Sequence, residues 1–185
     1  MKTFAALLAV VAVPGLAFAN ELDVSVGLDA GATSASDDQI GYGNFRVGYV
    51  LRPHLTLALT GRAGNGTQGD RFLGAIGGGV ELWQQFGKLR GSVKFGGIHQ
   101  HEAPNESLVD RPGSVIGGVD DDIAHRTAGV SGLSAVADFY ETKSGSLYGG
   151  AELTTMLWAD GAGPRWTFLA GLVAGFRVEL KRSGG

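Results

Sequence analysis

The sequence predicts an all-β fold, an eight-stranded antiparallel up-and-down transmembrane β-barrel. Three observations carry this. Eight segments alternate apolar with small or polar side chains, several over runs well beyond the five or six residues usual for a globular strand. The connections between them alternate short with mostly longer. Aromatic residues gather toward both ends of the segments.

The clearest segment is Arg165–Leu180. One set of alternate residues is Trp166, Phe168, Ala170, Leu172, Ala174, Phe176, Val178 and Leu180; the other is Thr167, Leu169, Gly171, Val173, Gly175, Arg177 and Glu179. A strand sends these sets to opposite faces, so one face is apolar throughout. The same pattern begins at Asn20, with Leu22, Val24, Val26 and Leu28 opposite Glu21, Asp23, Ser25 and Gly27. It recurs at about 43–51, 55–63, 71–83, 89–98, 127–140 and 146–158. Arg52–His54, Gln84–Lys88 and Glu141–Gly145 are short turns, whereas Ser34–Gly41, Gly64–Asp70, His99–Arg126 and Ala159–Pro164 are mostly longer. With both termini on one side, every short turn falls on that side and every longer loop on the other, as in outer membrane barrels.

The first nineteen residues read as a cleaved signal peptide: Lys2, the apolar run Phe4–Val13, then Ala17-Phe18-Ala19 as an A-x-A site. Residues 20–180 are then the barrel domain and 181–185 a polar tail. Only Lys2 is charged in the removed segment, leaving 14 basic against 18 acidic residues. That balance shows no basic patch for a nucleic-acid partner. The chain has no cysteine, so no disulfide holds it. Its 32 glycines follow no triplet period, which excludes collagen.

Which face meets lipid follows from the polar set. A water-facing surface would be roughly a quarter to a third charged. Here that set is mostly Gly, Ala, Ser and Thr, the small residues a narrow eight-stranded lumen requires. Its charges balance: Arg46, Arg62, Arg90, Lys94 and Arg177 against Asp23, Asp29, Glu81, Asp138, Glu152 and Glu179. Buried ions must be paired, so these residues are expected to form an interior charge ladder. Phe45, Phe72, Phe95, Trp158, Trp166 and Phe168 fall toward the longer loops, and Tyr49, Trp83, Phe86, Phe139, Tyr140 and Phe176 toward the short turns. Two such bands match the girdles at the membrane interfaces. Trp83, Tyr140 and Trp158 fall on the inward face by parity, unless a bulge reverses them.

With its A-x-A leader, eight alternating segments and the final Trp166–Leu180 strand, the chain resembles the small OmpA/OmpX-type outer membrane barrels over about 20–180. The resemblance implies a bacterial outer membrane location, contact with outer-membrane lipids, dependence on the barrel-assembly machinery and a monomer. It departs from that pattern at its end. Such barrels usually finish on an aromatic residue, whereas here Lys181–Gly185 follows Leu180.

Polar chemistry concentrates in His99–Arg126, read as one long irregular segment. His99, His101 and His125 are the candidate metal ligands there, with an Asp or Glu as a further donor. The spacing matches no specific metal motif, and a hydrated acidic loop is the preferred reading, with no metal and no cofactor. Asp120-Asp121-Asp122 lacks the spaced pattern of a calcium loop. A lipid acyl hydrolase or transferase would need a nucleophile beside His99 or His125, and Ser92 and Ser131 are within a few residues of that rim. No nucleophile elbow is present. The expected role is therefore non-enzymatic, structural or surface-interacting through the long exterior loops, with a narrow pore as the second reading and a lipid enzyme as the third.

Overall fold

The computed structural model describes residues 21–35, 37–119, 122–161 and 163–180. The expected leader, the tail and Asp120 and Asp121 lie outside the described residues. Eight strands, β1 (Glu21–Thr33), β2 (Gln39–Arg52), β3 (Leu55–Gly66), β4 (Arg71–Phe86), β5 (Leu89–Pro104), β6 (Ala124–Thr142), β7 (Gly145–Trp158) and β8 (Trp166–Glu179), pair antiparallel in chain order. β8 closes on β1, with Leu22 opposite Val178 and Ala32 opposite Phe168. Closure leaves no strand edge unpaired, which a lipid environment requires.

The register also sets the barrel's shape. A row followed across the ladder from Leu22 passes through Tyr49, Leu57, Val80, Phe95, Ser131, Thr155 and Phe168 and returns to β1 at Ala32. The return is ten residues further along, so eight strands carry a shear of ten. That stagger tilts the strands by about 40° from the barrel axis. Each residue then advances roughly 2.5 Å along the axis, given a rise of about 3.3 Å.

Val26, Leu28, Leu59, Ile76, Leu82, Leu133, Leu153, Leu157 and Leu172 all project outward and are exposed. Phe86, Phe139, Tyr140 and Phe176 ring the short-turn end of this belt, and Trp166 stands at the loop end. From Leu89 to His99 on β5, the belt spans roughly 25 Å, the apolar height of a transmembrane barrel. An apolar surface this continuous belongs in a bilayer.

Two expectations about the aromatic residues need correction, and one holds. Phe45 and Phe95 lie mid-belt once the stagger is applied. Trp83 and Trp158 do face inward, donating from Nε1 to Thr56 Oγ1 at 3.2 Å and to Thr167 Oγ1 at 2.9 Å. Tyr140 does not: the β6–β7 register shifts between Asp138 and Tyr140, and this irregularity leaves it exposed beside Phe139.

The larger correction concerns His99–Arg126. β5 continues to Pro104 and β6 starts at Ala124, with His99 opposite Thr127 and His101 opposite His125. Between these two strands, outside the sheet, stand two short helices, α1 (Asn105–Asp110) and α2 (Pro112–Gly117). Pro112 opens α2 with φ preset for a helix. Gly118 closes it in the left-handed region, φ 63°. Val115 and Ile123 seat this ledge on Ala103, with Phe72 and Leu108 packed around them.

Candidate functional sites in the lumen and on the outer wall

Three layers fill the lumen. Nearest the short turns is a charged layer. Arg46 bonds Asp23 at 3.1 Å and also grips Glu81. Arg177 meets Asp138 at 2.9 Å, and Tyr148 donates its hydroxyl to Asp23. Arg90 lies 3.8 Å from Asp23 and stacks on Trp83, with its guanidinium carbon 3.8 Å from the ring centre. Above them, Arg62 pairs with Asp29 at 3.2 Å and approaches Glu152 at 3.8 Å, while Lys94 holds Glu152 from β5. Glu179 stands apart: it is exposed at the short-turn rim in register with Glu21, so it belongs to the mouth and not to the interior. The open end leaves it in water.

The second layer is apolar. Ile40, Tyr42, Leu73, Ile98, Ala128, Met156, Trp158 and Leu169 form one buried cluster inside the barrel, with Leu73 and Met156 fully buried. Each projects from its strand near the loop end, and together they plug the lumen. Tyr42 donates to Gln100 Oε1 at 2.7 Å, linking the plug to what lies above.

A second charged layer caps the plug. Arg71 bonds Asp38 at 2.6 Å and Glu102 at 3.2 Å; Arg126 bonds Glu102 at 3.2 Å and Asp160 at 3.0 Å. Arg126 also donates to the Pro164 carbonyl at 2.7 Å and stacks over Trp158. The sequence hides this layer because Glu102 and Arg126 lie in a stretch that reads as a loop. The signal available was the alternation Gln100, Glu102 against His99, His101, a polar strand on both faces. Below the plug, a cavity of about 70 Å³ lies beside Gly77 and Gly79, too small for a solute path.

The outer wall carries the other site. His99 and His101 are two residues apart on β5, and His125 is the direct partner of His101 on β6, so all three side chains leave the same face. Ring centres lie 5.0 Å apart for His99–His101, 4.8 Å for His101–His125 and 5.5 Å for His99–His125. His125 Nδ1 is 3.3 Å from His99 Nε2, and one ring nitrogen from each residue falls within 4.8 Å of the others. Thr127 Oγ1 lies 3.3 Å from the other nitrogen of His99. The α2 cap closes over the cluster, and a Cβ at Gly118 would overlap the His101 ring. The three histidines thus sit on paired strands under a helical ledge, not on the hydrated loop expected.

Height follows from the register. Phe95 and Phe168 share a row that climbs three strands, which brings His101 level with Trp166 at the upper edge of the belt. Beside the cluster, a depression of about 490 Å³ opens on the outer wall. Gly61, Ala63 and Gly74 floor it, Phe45, Phe72 and Ile76 wall it, and Val115 and Ile116 overhang it.

A closed eight-stranded antiparallel barrel with an apolar outer belt and a packed interior is the fold of the small outer membrane β-barrels. Among solved structures the chain is similar to neisserial surface protein A, with TM-score 0.58 and 11% identity over 86% of this chain and 96% of that one. It is similar to the N-terminal barrel domain of Pseudomonas aeruginosa OprF, with TM-score 0.55 and 15% identity over 85% and 97% of the two chains. The attachment invasion locus protein Ail of Yersinia pestis gives TM-score 0.50 at 10% identity, over 85% and 98%. No family model and no curated protein sequence matches the chain.

Proposed function

We propose that the chain is a monomeric bacterial outer membrane barrel that works at its outer surface, without catalysis, as a structural or surface-interacting protein. The observation that carries this reading is the sealed lumen combined with an elaborated outer rim. An apolar plug between two ion-paired layers blocks passage, whereas α1, α2 and the residues just after α2 present Val109, Ile116 and Val119 to the exterior, each more than two-thirds exposed. A surface protein of Neisseria and the attachment invasion locus protein of Yersinia pestis share this fold, which runs in the same direction. The belt supports residence in a bilayer, and the A-x-A leader supports export.

The test compares cells displaying the full chain with cells in which residues 105–119 are replaced by a Gly/Ser linker. Adhesion and autoaggregation are scored at equal amounts of folded barrel. Loss of both in the variant supports the reading; equal scores in the two strains remove it. In planar bilayers the refolded protein is expected to give no channel steps. The lipid-enzyme reading has one favourable observation, the Thr127–His99–His125 contact chain. Lipid turnover that is unchanged in His99→Ala cells eliminates it.

A further inference from the structure

We propose that His99, His101 and His125 form a binding site for a divalent transition-metal ion, of the zinc and copper class, on the outer wall of the barrel. The donors come from a rigid frame. Two stand on the same face of β5 and the third is the cross-strand partner of one of them, so their Cα positions are fixed by the ladder.

The spacing suits the ion. Tetrahedral zinc bound to imidazole nitrogens at about 2.0–2.1 Å holds those nitrogens roughly 3.3–3.4 Å apart. His99 Nε2 and His125 Nδ1 already stand at 3.3 Å, and the three histidines each offer one ring nitrogen within 4.8 Å of the others. An all-imidazole set selects zinc, copper or nickel over calcium and magnesium, which take oxygen donors.

Two further features mark a built site. Thr127 Oγ1 contacts Nδ1 of His99, leaving Nε2, the nitrogen facing His125, to bind the ion. A hydrogen bond to the second ring nitrogen is the usual way a protein fixes a metal-binding imidazole. Gly118, left-handed at the end of α2, lies against the His101 ring where no side chain fits. Strand, strand and helix cap therefore converge on one point. Three protein ligands leave a coordination position open, and at the height of Trp166 that position faces the headgroup region, where water or an exogenous donor completes the set.

The test uses the untagged chain refolded into zwitterionic detergent, titrated with Zn²⁺ by calorimetry and with Co²⁺ by visible absorption. One Zn²⁺ per chain with saturable binding is expected, and Co²⁺ should develop the intense visible bands of a tetrahedral centre. His101→Ala and His125→Gln should each weaken Zn²⁺ binding by at least tenfold. His54→Ala, at the opposite rim, should leave it unchanged. Gly118→Ala keeps all three donors but crowds His101, so it should weaken binding severalfold; about tenfold is a common effect for residues that only orient ligands. Electrophoretic heat-modifiability confirms that each variant is folded. Absence of saturable binding, or undiminished binding in the folded His101→Ala and His125→Gln variants, overturns the proposal.

Discussion

Arg46 on β2 bonds Asp23 on β1 at 3.1 Å and reaches Glu81 on β4, so one guanidinium ties three strands together inside the lumen. Its side chain is about nine-tenths buried. Removing one partner of a buried pair leaves an uncompensated charge, at a cost of about 3–5 kcal/mol. Arg46→Ala should lower barrel stability by that amount, read from urea unfolding in lipid vesicles by tryptophan fluorescence. A change under about 1 kcal/mol would show these carboxylates to be solvated.

Leu73 and Met156 fill the centre of the apolar plug and have no exposed surface. Leu73→Ala should cost about 2–5 kcal/mol in the same unfolding assay, as cavity-forming core substitutions do. No conductance should appear in planar bilayers, since the charged layers above and below remain closed.

Leu172 is 71% exposed on β8 and Val109 is 81% exposed on α1. In water, arginine at either position would be nearly neutral. The belt places Leu172 in the apolar mid-height of the bilayer, where arginine costs about 2–4 kcal/mol. Leu172→Arg should therefore destabilise the refolded barrel and Val109→Arg should not. Equal effects would mean that the belt does not face lipid.

Gly61 on β3 lies opposite Phe45 on β2, whose ring covers it on the outer wall. A Cβ there would collide with that ring. Gly61→Ala should displace Phe45 and cost on the order of 1 kcal/mol. In the Phe45→Ala background the same change should be neutral or favourable, and the double-mutant cycle measures the coupling.

The barrel itself was legible because lipid enforces the alternation. Wherever a strand crosses the bilayer, as in Leu22–Ala32 or Trp166–Leu180, one face must be apolar at every second residue. Above the bilayer that demand ends, and so did the signal. His99–Pro104 and Ala124–Arg126 continue β5 and β6 with polar residues on both faces, which reads in sequence as a loop. The charge ladder was visible as parity, but its partners were not: the pairing of Arg62 with Asp29, or of Lys94 with Glu152, depends on the shear. The apolar plug was hidden because Leu73, Ile98 and Met156 sit among small or polar inward residues on strands whose outer face carries the stronger apolar run. The histidine cluster required the register, which brings His125 opposite His101 across 24 residues of sequence.

A closed barrel with an apolar belt of this size needs lipid or detergent around it. Gel electrophoresis of the chain refolded into detergent micelles, run with and without boiling, tests this most directly. A compact unboiled band that migrates apart from the boiled one and disappears on heating is expected. A chain that stays soluble without detergent and migrates identically before and after boiling would contradict it.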